Sequence, residues 1–138
     1  MMHFHYSFDF LKGQVIDLPE NPLTEEEIYL YTKYVVLSSK MEREIPVMAL
    51  VYVERLLTKT STLLNQWNWR RIVLICLILA SKIWDDESLE NIHFPKVMAD
   101  LSILEVNELE KTYLDLTNYE LYIKGSEYAK YYFILKTF

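Results

Sequence analysis

Histidine, cysteine and paired acidic residues are the side chains in this sequence that could carry out catalytic or metal chemistry. His3 and His5 stand close together near the N-terminus, and Asp85 and Asp86 are adjacent. Adjacent side chains point in different directions, and no further histidine or cysteine stands at metal-ligand spacing. Cys76 lies in an apolar run, where a thiol keeps its proton. With no glycine-rich phosphate loop either, we expect no metal, no cofactor and no enzymatic activity.

Length and composition indicate one helical domain. The chain has 138 residues, of which 51% are apolar, so it can bury a sizeable core. It contains only two glycines, whereas a β-rich domain of this size usually needs more of them for its turns. The formal net charge is -6, which argues against a nucleic-acid partner because such proteins usually present a basic face.

Helix starts in the first half of the chain can be located from their capping signals. Thr24 is followed three residues later by Glu27, the pattern of a capping box, and it predicts a helix from there to about residue 39. Pro46 suits the first turn of a second helix. Asn68 has the residue type of an N-cap for a third helix.

The longest apolar run covers residues 72–80, nine residues in all. A membrane-spanning helix needs about 20, so we predict instead a helix at 69–84 that the rest of a bundle encloses. The N-terminus lacks a basic stretch followed by an apolar run, and residue 2 is not glycine, so neither a signal peptide nor a myristoylation site is expected. A single cysteine fits a reducing compartment, and we expect an intracellular protein of the cytoplasm or nucleus.

The remaining elements complete an all-α prediction. A short helix is expected near 93–101, a longer one begins after Ser102 with Glu105 three residues on, and a last one rich in aromatic residues begins at Gly125. Residues 1–23 alternate aromatic and polar side chains and are interpreted as an arm. The predicted fold is a five-helix bundle with a central third helix, plus the N-terminal arm and a C-terminal helix.

Several separated stretches resemble the cyclin box. Residues 69–86 open with Trp-Arg-Arg and end with Ala-Ser-Lys-Ile-Trp-Asp-Asp, which is similar to the third helix of that box. Residues 107–121 open with Asn-Glu-Leu-Glu and resemble its fifth helix, and residues 50–57 resemble its second helix. A Tyr-Ala-Lys-Tyr-Tyr-Phe run at 128–133 makes the resemblance closest to the Y-type cyclins. The chain is identified as a member of the cyclin family with this division: an N-terminal arm at 1–23, a cyclin box at 24–123 and a C-terminal helix at 124–138.

The resemblance implies a regulatory subunit that binds and activates a cyclin-dependent protein kinase. A cyclin holds the mobile helix of the kinase, whose glutamate pairs with the ATP-orienting lysine. By the resemblance, Lys82 reaches backbone carbonyls of the kinase and Glu110 accepts N–H groups at the start of the kinase helix. Spacing alone would place both side chains in solvent. The expected kinase-binding site is completed by apolar neighbours: Leu79, Ile83, Trp84, Leu109 and Tyr113.

An internal ion pair is also implied by the resemblance. Glu54 matches a family acid that usually supports the box by pairing with an arginine. Arg70 and the adjacent Arg71 are both candidates for that arginine, and Glu54–Arg70 is the predicted pair. An ordinary surface ion pair is the alternative interpretation.

Two features depart from the cell-cycle cyclins. Their substrate-docking patch needs a Met-Arg-Ala-Ile-Leu stretch and a tryptophan on the first helix, whereas this helix reads Ile-Tyr-Leu-Tyr-Thr at 28–32. Recruitment of substrates by that route is therefore not expected. The sequence also holds a single box, as Y-type cyclins do.

Two other classes of function stay open. A transcription-type cyclin-fold adaptor, which binds other proteins or nucleic acid, would be expected to carry basic helix faces and usually two repeats. A helical enzyme would need a site that this sequence does not display. Recovery of binding partners from cell extract would separate these classes from the kinase regulator, for which we expect a protein partner and no nucleic acid, membrane or small-molecule substrate.

Overall fold

The computed structural model describes residues 22–85 and 102–136, which form five α-helices and no strand. The all-α prediction is therefore confirmed for this part of the chain. The predicted arm, apart from its last two residues, and the helix predicted near 93–101 lie outside the described residues. The helices are α1 (Glu25–Ser38), α2 (Ile45–Thr60), α3 (Trp69–Trp84), α4 (Ile103–Leu116) and α5 (Gly125–Lys136).

Capping boxes fix the starts of α1 and α4. The Glu27 backbone N–H donates to Thr24 Oγ1 at 3.2 Å, and the Thr24 backbone N–H donates to Glu27 Oε2 at 2.9 Å. This second bond, with a smaller contribution from the side chain of Gln66, lowers the pKa of the Glu27 carboxyl. Ser102 and Glu105 repeat the arrangement at α4. Both boxes confirm the sequence prediction.

Helix α3 lies at the centre of the molecule, as predicted. Trp69 and every residue from Ile72 to Ser81 are buried. The helix packs against α2 along its length and also contacts α1 and α4. A helix that is apolar on all faces is stable only when other elements surround it. The positions of α1, α2 and α4 follow from this requirement.

Asn68 is the residue before α3, but its side chain does not cap the helix. It is fully buried, its Oδ1 accepts from the Asn65 backbone N–H at 2.9 Å, and its Nδ2 donates to the Leu63 carbonyl at 3.1 Å. The Asn65 side chain in turn accepts from the backbone N–H groups of Trp67 and Asn68. The two asparagines therefore hold the turn that leads from α2 into α3.

We predict that Asn68→Ala lowers the free energy of unfolding by about 1–3 kcal/mol, because it removes two hydrogen bonds of a fully buried side chain that hold the turn into α3. Urea denaturation of the parent and the variant measures this difference. Glu108→Ala, at an exposed position of α4, is the control and should change stability by no more than about 0.5 kcal/mol. Equal losses in the two variants would contradict the structural role of Asn68.

Candidate functional site

Lys82 and Glu110 meet where the end of α3 lies beside α4. Lys82 is in the last turn of α3, and Glu110 is in the middle of α4. The Lys82 Nζ lies 2.7 Å from Glu110 Oε2, and the two side chains are 29% and 22% exposed. The structure thus brings together two residues that are 28 positions apart in the sequence.

Two large apolar side chains in the same last turn of α3 are partly exposed, and Trp84 lies on the side of that turn that faces α2. Ile83 is 40% exposed and Trp84 is 36% exposed, whereas every residue of the same helix from Ile72 to Ser81 is buried. We call the group formed by Lys82, Ile83, Trp84 and Glu110 the α3–α4 edge. It combines a cation, an anion and apolar surface, which is the composition needed to bind the backbone of a partner helix while excluding water.

Three of the predicted contact residues do not reach the surface. Leu79, Leu109 and Tyr113 are buried in the core. A buried side chain has almost no surface for a partner to contact, so this burial argues against the prediction that these three residues contact a partner directly.

Tyr52 of α2 lies behind the α3–α4 edge and joins three other elements. Its hydroxyl accepts from Trp84 Nε1 at 2.8 Å and donates to the Leu121 carbonyl at 2.6 Å. Its backbone carbonyl accepts from the Tyr113 hydroxyl at 2.9 Å. Sequence analysis missed this residue, and the available signal was a tyrosine inside an apolar stripe, since a buried tyrosine hydroxyl needs a partner.

Glu54 and Arg55 bind the C-terminal part of the chain. Glu54 accepts a hydrogen bond from the Tyr131 hydroxyl. Arg55 donates to the carbonyl oxygens of Glu120 and Tyr122 at 3.0 and 2.7 Å, and its guanidinium forms an ion pair of 2.8 Å with a carboxylate of α5. These bonds attach the α4–α5 linker and α5 to α2.

The predicted pair between Glu54 and Arg70 is not among the ion pairs of the described residues. The Arg70 guanidinium instead lies 5.3 Å from the ring centroid of Trp69. Glu54 is in the second half of α2 and faces α5, whereas Arg70 is in the first turn of α3. The prediction is corrected on this point: the partner of Glu54 is Tyr131, and the arginine that secures the domain is Arg55.

A shallow pocket of about 220 Å³ lies between α2 and α5. Its ionisable side chains pair with one another, as Arg55 does with Glu127 and Glu54 with Tyr131, and Lys59 pairs with Glu120 at its margin at 3.0 Å. These paired side chains stabilise the contact between α2 and α5. The lining residues are Glu54, Arg55, Thr58, Lys59, Glu127 and Tyr131.

The described residues provide no metal site. No group of three or more histidine, cysteine, aspartate or glutamate side chains within 22–85 and 102–136 could hold a metal ion. His3, His5 and Asp86 lie outside these ranges. Cys76 is buried, and its burial raises the pKa of the thiol far above its ordinary value. In the same ranges, no helix has the length and apolar character needed to cross a membrane.

Comparison with known proteins gives one family match. The family model described as Cyclin matches residues 26–121, which is more than half of the chain and includes α1 to α4 with both members of the ion pair. No solved structure matches the chain.

We predict that Arg55→Lys lowers the free energy of unfolding by about 2–3 kcal/mol, because an ammonium group cannot reproduce the forked contacts to two carbonyls and a carboxylate. Hydrogen exchange of the α5 amides should accelerate more than that of α3. Arg43→Lys, at an exposed position between α1 and α2, is the matched control. If α5 keeps its protection in Arg55→Lys, the attachment described above is wrong.

Alkaline pH should destabilise the fold through its buried tyrosines. Burial raises the pKa of Tyr52, Tyr113 and Tyr131 above the ordinary value, and for Tyr131 the hydrogen bond to Glu54 raises it further. In the unfolded chain these groups ionise near pH 10. Above about pH 10 the unfolded state therefore releases protons that the folded state retains, and stability falls as pH rises.

Urea denaturation between about pH 8 and pH 11 measures this decline. Tyr113→Phe removes one of the three ionising groups, so its stability should fall less steeply with pH than that of the parent. Parallel pH profiles for the two proteins would show that Tyr113 does not contribute.

Proposed function

The chain belongs to the cyclin family, and from that premise we propose that it is a regulatory subunit that binds and activates a cyclin-dependent protein kinase. It does no chemistry itself in this proposal. Its task is to hold the mobile helix of the kinase in the position where that helix's glutamate pairs with the ATP-orienting lysine.

The observation that carries the proposal is the ion pair between Lys82 and Glu110 at the α3–α4 edge. Its 2.7 Å separation holds both groups at the same place on the surface. A lysine ammonium has three donors, so Lys82 can keep its bond to Glu110 and also donate to carbonyl oxygens of a partner. A carboxylate accepts backbone N–H groups, which are unpaired at the start of a helix.

The surroundings of the pair favour a contact with a partner over a purely internal role. Both side chains are partly exposed, so water still reaches the pair and screens its contribution to stability. When a partner covers the apolar surface of Ile83 and Trp84, water is excluded and the same charges interact more strongly. The pair is therefore worth more in a complex than in the free chain.

We further propose that the closest relationship within the family is to the Y-type cyclins, with a single box at 24–123. The motifs at 69–71, 82–86, 107–110 and 128–133 support this assignment. The last of them lies in α5, which packs against α2. On this view the C-terminal helix is a fixed part of the domain.

Replacing either charged residue should weaken kinase binding strongly. We predict that Lys82→Ala and Glu110→Ala each lower the affinity by about 30-fold to several thousand-fold, equivalent to about 2–5 kcal/mol, because a charge-assisted contact is lost at a desolvated interface. The measurement uses a panel of purified cyclin-dependent kinases, with titration of binding and assay of peptide phosphorylation. The kinase that the parent chain binds most tightly is then used for every variant.

Matched controls come from the exposed positions of the same helix. Glu108→Ala and Lys111→Ala each remove one charge from an exposed position of α4 that is not part of the Lys82–Glu110 pair, so they should alter affinity no more than about twofold. Thermal melts establish that all four variants are folded. If Lys82→Ala and Glu110→Ala fold and still bind and activate the kinase like the parent, the α3–α4 edge is not the kinase-binding site.

A further inference from the structure

We infer that Tyr52 is a positioning residue for kinase binding: its hydroxyl fixes the orientation of Trp84 and thereby shapes the apolar side of the α3–α4 edge. This inference rests on the proposed function and assigns a role to a residue that contacts no partner. It follows from how the last turn of α3 is anchored.

The last turn of α3 is held from two sides. Lys82 and Trp84 are two positions apart, which separates them by about 200° around the helix axis. Lys82 accordingly turns toward α4, where it meets Glu110, and Trp84 turns toward α2, where it meets Tyr52. Ile83 lies between these directions and is exposed. The bond from Lys82 to Glu110 and the bond from Trp84 to Tyr52 together fix the position of the last turn of α3.

The anchor on the α2 side is a buried hydroxyl with both of its roles in use. Tyr52 is fully buried. Its single O–H donates to the Leu121 carbonyl, and the oxygen accepts from the Trp84 indole. If the indole rotated away, the Trp84 N–H would lose this hydrogen bond. The acceptor lone pair of the buried Tyr52 hydroxyl would lose its donor as well. The indole is therefore kept in one orientation although 36% of the residue is exposed.

An exposed tryptophan that is already oriented loses less conformational freedom when a partner covers it. Ordering one rotamer-rich side chain at an interface costs an amount equivalent to about two- to tenfold in affinity. Tyr52 removes that cost in advance. Since the same hydroxyl holds Leu121, the orientation of Trp84 is also tied to the linker that Arg55 attaches to α2.

The test combines three variants with two measurements. Tyr52→Phe keeps the ring and removes the hydroxyl, Trp84→Phe removes the indole donor, and the double variant removes both. The first measurement is hydrogen exchange of the indole N–H by nuclear magnetic resonance, where Trp84→Phe assigns the signal among the three tryptophans. The second is affinity for the kinase selected from the panel, measured by titration.

We expect the Trp84 indole N–H to exchange faster in Tyr52→Phe than in the parent, and the affinity to fall about two- to tenfold. In the Trp84→Phe background, adding Tyr52→Phe should change affinity less than twofold, because Tyr52 acts only through the indole. Should Tyr52→Phe fail to fold, Trp84→Phe breaks the same hydrogen bond from the exposed side, and it should lower affinity by at least the same factor.

Tyr113→Phe is the matched control. Tyr113 is equally buried, and its hydroxyl also makes one bond to Tyr52, but to the backbone carbonyl. Its loss should reduce thermal stability while leaving the Trp84 exchange rate as in the parent and the affinity within twofold.

The possible results separate this inference from the proposed function. Unchanged indole exchange in Tyr52→Phe overturns the inference, and so does faster exchange with full affinity. Additive losses in the double variant overturn it as well. In each of these cases the proposed function stands as long as Lys82→Ala and Glu110→Ala weaken kinase binding by about 30-fold or more, as predicted. If those two variants bind the kinase normally, the proposed site fails, and the kinase-binding role of Tyr52 fails with it.

Discussion

Enclosure of α3 is the constraint on which the rest of this structure depends. A sixteen-residue helix that buries eleven of its side chains cannot present a stable face to water, so it dictates that other helices cover it on several sides. Each large apolar side chain so covered contributes about 1.5–3 kcal/mol. The α3–α4 edge exists because this enclosure stops at the final turn of α3, where Lys82 lies beside α4 and Ile83 and Trp84 are partly exposed.

Burying a polar side chain among these helices costs free energy unless the side chain forms hydrogen bonds there. Tyr52 and Tyr113 carry hydroxyl groups into the core between α2, α3 and α4, and each hydroxyl is bonded there. Because hydrogen bonds have defined directions, they restrict how far one helix can slide along another more than apolar packing does. Apolar burial alone would allow several alignments of α2, α3 and α4. The hydrogen bonds of the two tyrosines select one of them.

The sequence was sufficient for features that depend on neighbouring residues. The capping boxes at Thr24 and Ser102, and the apolar run inside α3, are local patterns, and the structure has the corresponding helices. The pairing of Lys82 with Glu110 joins positions 28 residues apart, and only the resemblance to a family had assigned both residues to one binding site. The role of Tyr52 and the partners of Glu54 depend on how α5 returns to α2. No periodicity in the sequence encodes that return, so these contacts were missed or assigned incorrectly.

The linker between α4 and α5 is attached to α2 through its main chain. Three successive backbone carbonyls, those of Glu120, Leu121 and Tyr122, accept hydrogen bonds from side chains of α2. The donors thus recognise the path of the main chain and make no demand on which residues occupy it. Of the three residues, Tyr122 is 73% exposed, so its side chain could be exchanged in related chains that retain the donors on α2. An inserted or deleted residue within this segment would shift the carbonyls relative to those donors, so the length of the segment is constrained by main-chain bonds that do not depend on side-chain identity.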